Sequence, residues 1–162
     1  MAEFVIRFIT DHSFISEGIR LFSRAPFASH VEIVLDNGYF LGAHLKGGVQ
    51  VRPPDYCQPT WERWYALPVT PEQLDKIMAF AHAQVGKPYD LRDIEGMVVE
   101  RNWHSTENWI CSELVAAAAE AGGTFMLNVE PEFTYRITPT MLHLSPLLIG
   151  HSVPTGRSPS LA

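Results

Sequence analysis

The chain has 162 residues, 46% of them hydrophobic, which suits one compact domain with a substantial core and leaves little room for a second. Its 12 Lys and Arg against 18 Asp and Glu give a formal net charge of -6 with no basic cluster, so the electrostatic footprint of a nucleic-acid binder is missing. No run reaches the roughly 18 apolar residues of a membrane span. The opening MAEFVIRFITDHSF lacks the basic n-region and cleavage site of a signal peptide. A soluble or cytoplasmic protein without an integral membrane segment is therefore expected.

In chain order, EFVIRFIT (3–10) reads as a strand. SFISEGIRLFSRAPF (13–27) places Ile15, Ile19 and Phe22 at helical spacing, with Ser13 as N-cap and Pro26 as the stop. HVEIVL (30–35) and GYFLGAH (38–44) are strands joined through Asp36-Asn37-Gly38, a hairpin signal because Asn and Gly tolerate positive φ. GGVQVRPP (47–54) adds a strand ending in prolines, and WERWYALPV (61–69) alternates as a fourth strand after the first. TPEQLDKIMAFAHAQVG (70–86) carries Thr70 as N-cap, Pro71 at the first helical position and Gly86 as C-cap.

The segment 87–108 is less regular, with a turn and a short helix expected around 92–100. NWICSELVAAAAEAGG (108–123) predicts a helix over 110–121 closed by Gly122-Gly123. TPTMLHLSPLL (138–148) predicts a short last helix, and GHSVPTGRSPSLA reads as a polar, disordered tail. The expectation is a single α+β domain over 1–150, an antiparallel sheet packed against helices, with a tail at 151–162.

Cys111, Leu114, Val115, Ala118 and Ala119 fall on one stripe of the predicted helix, so Cys111 faces inward. A small buried hydrophobe is the ordinary role of such a cysteine. Its place in the first turn opens another, because free N–H groups and the macrodipole of a helix start favour a thiolate and offer donors to an oxyanion. Cys57, in PPDYCQPT, is an ordinary loop residue, and the spacing of the two cysteines rules out a CxxC pair.

A nucleophile needs a base. Of seven histidines, His82 and His143 sit on predicted helices as exposed or capping residues, His12 and His151 lie near the chain ends, and His104 is a reserve in an irregular segment. His30 shares a strand face with Glu32 and Val34, opposite Val31, Ile33 and Leu35. Across the Asn-Gly hairpin, Phe40, Gly42 and His44 share a face, so His30 and His44 can point to one side of the sheet. Rim histidines on a half-exposed sheet are the competing reading. Two histidines and a cysteine are also zinc ligands, but no local ligand spacing supports a site, so neither a metal nor a cofactor is expected.

Three segments resemble the circularly permuted papain-like cysteine hydrolases of the NlpC superfamily, the YiiX-type group, with lecithin:retinol acyltransferase-like enzymes as more distant cousins. SHVEIVL (29–35) is similar to that family's histidine strand, GKPYD (86–90) to its G-K-P-Y-D segment, and WICSELV (109–115) to its nucleophile helix. The order, His before Cys, is that of the permuted branch, and the resemblance spans residues 3–148. It implies a permuted papain-like fold, Cys111 as nucleophile and His30 as general base and acid. The implied substrates are peptides, cell-wall fragments or acyl lipids, with amide cleavage through an acyl-enzyme as the first expectation. A lipid ester or amide hydrolase, an acyltransferase and an inactive binding module are the alternatives.

The sequence departs from the family at two positions. Many relatives carry a glutamate where Gly42 stands, and a small residue, often Gly, where Glu32 stands. His44 is the expected orienting residue for His30, with Glu32 as the alternative. Tyr89 of GKPYD and Trp109 of WICSELV are the candidate substrate-contacting residues, a core role for Tyr89 being the competing reading.

Overall fold

A computed structural model of the chain describes residues 1–10, 28–90, 108–129 and 137–153. The helix expected at 13–26, the short helix expected around 92–100, His12, His104 and the tail beyond 153 lie outside the described residues. Among the described residues the strands are β1 (Ala2–Thr10), β2 (His30–Val34), β3 (Phe40–His44), β4 (Gly48–Arg52), β5 (Trp61–Val69) and β6 (Ile149–His151). They form one six-stranded sheet in the order β4-β3-β2-β1-β5-β6, every pairing antiparallel. The helices among the described residues are α1 (Pro71–Ala83), α2 (Cys111–Ala121) and α3 (Pro139–His143), and the architecture is α+β.

Strand alternation sorts the side chains into two faces. Phe4, Ile6 and Phe8 of β1, Val31 and Ile33 of β2 and Leu41 and Ala43 of β3 join one apolar cluster with Ile77 and Ala81 of α1 and Leu114, Val115, Ala118 and Ala119 of α2. Burying such side chains contributes about 1.5–3 kcal/mol each, which makes this layer the main source of stability. The opposite face carries Arg7, Glu32, Phe40 and Trp64, and the loop after β4 brings Tyr56 and Cys57 over it.

The β2–β3 hairpin closes through Leu35 and Tyr39, with Gly38 at φ +79° and the Asn37 side chain accepting from the Tyr39 N–H. Its register pairs Ile33 with Leu41 and Val34 with Phe40. Carried on by two and four residues, that register sets Glu32 opposite Gly42 and His30 opposite His44.

Helix α1 starts as its sequence predicts, Thr70 and Gln73 forming a reciprocal capping box with Pro71 at the first position. It ends at Ala83 with Gln84 as cap, and Gly86 follows at φ +92°. Gly122, at the end of α2, lies so close to α1 that a Cβ there would meet Ile77 at 2.5 Å.

The short last helix expected within 138–148 is found at Pro139–His143 with Thr138 as its N-cap, and it stops there because Ser145 precedes Pro146, a position that disfavours helical backbone. One expectation at the C-terminal end is corrected. Residues 149–151 then pair with β5, His151 opposite Trp64 and Gly150 opposite Tyr65, so the chain is ordered strand where a tail was expected to begin. An edge of β5 left open supplies the hydrogen bonds that the weak local pattern of Ile-Gly-His does not predict.

Candidate active site

Cys111 is the first residue of α2 and is 4% exposed. Ile110 before it is extended, at φ -95° and ψ 159°, and as an apolar N-cap residue its side chain makes no capping bond to the first-turn N–H groups. The entry is held from two sides. Trp109 donates its backbone N–H to Pro88 and accepts at its carbonyl from Asp90, a bridge from GKPYD to the helix start, and the Ser112 hydroxyl donates to the Ile137 carbonyl at 2.5 Å.

His30, the first residue of β2, is 1% exposed and lies near enough to Cys111 for the two side chains to influence each other electrostatically. Burial alone pulls its pKa down, but the interactions with Cys111 and with the Glu32 carboxylate outweigh that and lift it to about 9. Glu32 Oε1 lies 3.4 Å from His30 Nε2 and 3.5 Å from His44 Nε2. The two imidazole rings are 4.8 Å apart between centroids.

Glu32 has no solvent exposure and is held from behind. Arg7 donates to Glu32 Oε2 through Nε at 3.1 Å and Nη2 at 2.7 Å, and the Tyr56 hydroxyl donates to Oε1 at 2.5 Å. Arg7 also reaches Glu62 at 3.3 Å and lies 3.6 Å over the Phe40 ring. Burial pushes the Glu32 carboxyl up, yet His30, Arg7 and His44 together bring it down to about 2, so it is a carboxylate. Burial and the charge of His30 press His44 down to about 2, which keeps its ring neutral. Burial and Glu32 push the Tyr56 phenol far up, so it remains a donor.

The space in front of Gly42 is filled by Glu32: a Cβ at Gly42 would meet Glu32 Cγ at 3.2 Å and His44 Nε2 at 3.5 Å. The structure therefore gathers Cys111, His30, Glu32 and His44 into one buried cluster. Tyr89 belongs beside it, its phenol pushed well up by burial and then by the charges of Cys111 and Asp90. Trp109 is buried, with its indole N–H on Gln84 at 3.1 Å and its ring against Phe80, so its side chain locks the helix entry to α1.

Arg7 and Tyr56 were not singled out by sequence reasoning. The signal for Arg7 is a charge inside the apolar strand EFVIRFIT, which in a covered sheet demands a buried counter-charge. Tyr56 sits in a loop whose sequence carries no such mark. His143, expected as an exposed or capping helix residue, is half-buried, bonded to the Tyr65 hydroxyl at 2.9 Å and set edge-on against Phe8, Trp61 and Tyr65. His82 is exposed in the last turn of α1, as expected. Cys57 is a half-buried free thiol whose pKa burial raises, with Arg7 Nη2 at 3.6 Å. Comparison of the sequence with protein-family models and with curated proteins gave no match.

Proposed function

We propose that the protein is a cysteine hydrolase that cleaves an amide bond of a peptide or cell-wall peptide through an acyl-enzyme. The observation that supports the reading is the meeting of Cys111, at an uncapped helix start, with the buried imidazole of His30, itself backed by Glu32. In this mechanism His30 takes the thiol proton and the sulfur attacks the carbonyl carbon. N–H groups of the helix start hold the oxyanion. As the C–N bond breaks, His30 passes its proton to the leaving amine, then takes one from the water that cleaves the thioester.

Glu32 is the positioning residue for His30, as the third member is in related triads. The resemblance to the permuted NlpC-type enzymes sharpens this role. Those relatives carry a glutamate on the strand after the histidine strand and a small residue on the histidine strand; here the two residues are exchanged between facing positions. The carboxylate of Glu32 reaches His30 from within β2 and occupies the room that Gly42 leaves. His44 stays in the cluster as a neutral neighbour of Glu32.

Thiol alkylation tests the pair. Iodoacetamide is expected to modify Cys111 faster than Cys57, and His30→Ala to slow Cys111 by at least about tenfold. Equal rates at the two cysteines, unchanged by His30→Ala, would sink the reading. Incubation with muropeptides and with acyl-lipid esters, against Cys111→Ala as control, then identifies the substrate class. Turnover of the esters alone would replace the amide reading with a lipid one.

A further inference from the structure

We infer that His30, Glu32 and His44 form a binding site for one divalent cation of the zinc class, and that its occupancy switches off the Cys111–His30 pair; the second half rests on the hydrolase reading above. One ligand atom from each of the three residues lies within 4.8 Å of the others, and all three residues are buried. The individual distances are more telling. An ion with four tetrahedral ligands at about 2.0–2.1 Å holds its ligand atoms about 3.3–3.4 Å from one another. Glu32 Oε1 stands 3.4 Å and 3.5 Å from the two Nε2 atoms, so two edges of the triangle already have that length. Both exceed the roughly 2.7–2.9 Å of a charge-assisted hydrogen bond.

The surroundings fit a metal ligand set. Two imidazoles and a carboxylate are ligands that zinc accepts, with a fourth position left open. Carboxylate ligands are typically fixed by hydrogen bonds to the oxygen away from the ion, and Glu32 Oε2 takes two from Arg7, while the Tyr56 hydroxyl donates to one lone pair of Oε1 and leaves the other for the ion. The positive charge of Arg7 is shared with Glu62, so Arg7, Glu32 and Glu62 together carry a net negative charge toward an incoming cation. The ligands come from β2 and β3, paired across a hairpin, and that is why no local spacing in the sequence announces them.

The consequence for catalysis follows from the imidazole. A neutral imidazole bound to a metal through Nε2 carries its only proton on Nδ1 and has no lone pair left to take the proton of a thiol. Loading displaces the Nε2 proton to solvent and leaves His30 unable to act as a base. Metal binding and general-base action at His30 are mutually exclusive.

The experiment is a titration of the purified full chain with Co2+, followed by its visible absorption, and with Zn2+ by calorimetry, in the native protein and in His44→Ala, Glu32→Gln and Cys111→Ser. The expected result is one ion per chain with tetrahedral cobalt bands, a loss of affinity of at least about 100-fold in His44→Ala and in Glu32→Gln, and retained binding in Cys111→Ser. In the native chain Zn2+ is expected to slow iodoacetamide modification of Cys111 at least tenfold, with His44→Ala requiring a correspondingly higher Zn2+ concentration. No stoichiometric binding, or binding undiminished by both ligand variants, overturns the site. Binding that leaves Cys111 alkylation unchanged overturns the switch. An unreactive Cys111 in metal-free protein would fell the hydrolase reading instead, while the cobalt spectra still decide the site.

Discussion

On one face of the sheet Phe4, Ile6, Val31, Ile33 and Leu41 meet the helices through apolar contact alone. On the other, Arg7 and Glu32 are just as deeply buried, at 1% and 0% exposure, but are held by charge and hydrogen bonds to Tyr56 and Glu62. Apolar contact is non-directional, so the first face tolerates adjustment and its failures are failures of stability. The second face is directional, and each of its members is buried on terms set by the others. A substitution there changes stability and chemistry together.

The largest expected effect is on the polar face. Arg7→Met removes the counter-charge of a fully buried carboxylate and is expected to lower stability by about 3–5 kcal/mol, read as a shift of the urea midpoint. The double variant Arg7→Met/Glu32→Leu is expected to recover much of that loss, since an apolar pair of similar size no longer buries a lone charge. If the double variant is less stable than the single one, Arg7 and Glu32 are not coupled as described. On the apolar face, Leu114→Ala is expected to cost about 2–5 kcal/mol, with the alkylation rate of Cys111 per folded molecule unchanged. A changed rate would mean that the two faces are not separable.

The exchange between β2 and β3 gives a sharper probe. Glu32→Gly is expected to lower hydrolase activity on the order of 10²-fold, and Glu32→Gly/Gly42→Glu to regain at least about tenfold of it by returning the carboxylate from the facing strand. Loss without recovery, in a double variant that folds, would show that the position within β2 matters and not only the charge. The smallest effect concerns His143, whose pKa is lowered first by burial and then by the charge of Arg63. A base held below its unfolded value contributes stability above that value, about 6.5, and loses it as pH falls through the lower folded value. An NMR titration should find the His143 midpoint below 6.5, and Tyr65→Phe should move it.

The apolar face was legible because alternation in EFVIRFIT and HVEIVL, and the helical stripe from Cys111 to Ala119, report burial directly. The hairpin was legible because Gly38 takes the positive φ that the turn requires and the Asn37 side chain accepts from the Tyr39 N–H. For the cluster itself, the shared face of His30 and His44 followed from the same alternation. The roles of Arg7 and Tyr56 did not, because nothing local tells a buried arginine which carboxylate, 25 residues away, it will meet. The strand at Ile149–His151 was hidden for a related reason: its stability comes from β5, not from its own residues.

The segment that follows α1 carries one more consequence. The Gly86 N–H donates to the Val49 carbonyl, the Val49 N–H donates to Lys87, and Pro88 and Asp90 bond to Trp109 at the mouth of α2. Gly48, at φ +67°, permits the approach, since a Cβ there would lie 2.1 Å from the Lys87 carbonyl oxygen. These bonds cover part of an outer edge of the sheet that would otherwise invite pairing with another chain. They also stitch β4 to the start of α2 through contacts distant in sequence, which form late when a chain folds. The reactivity of Cys111 is thereby a gauge of the finished fold: followed through a denaturant series, it should disappear in step with the global transition and not before it.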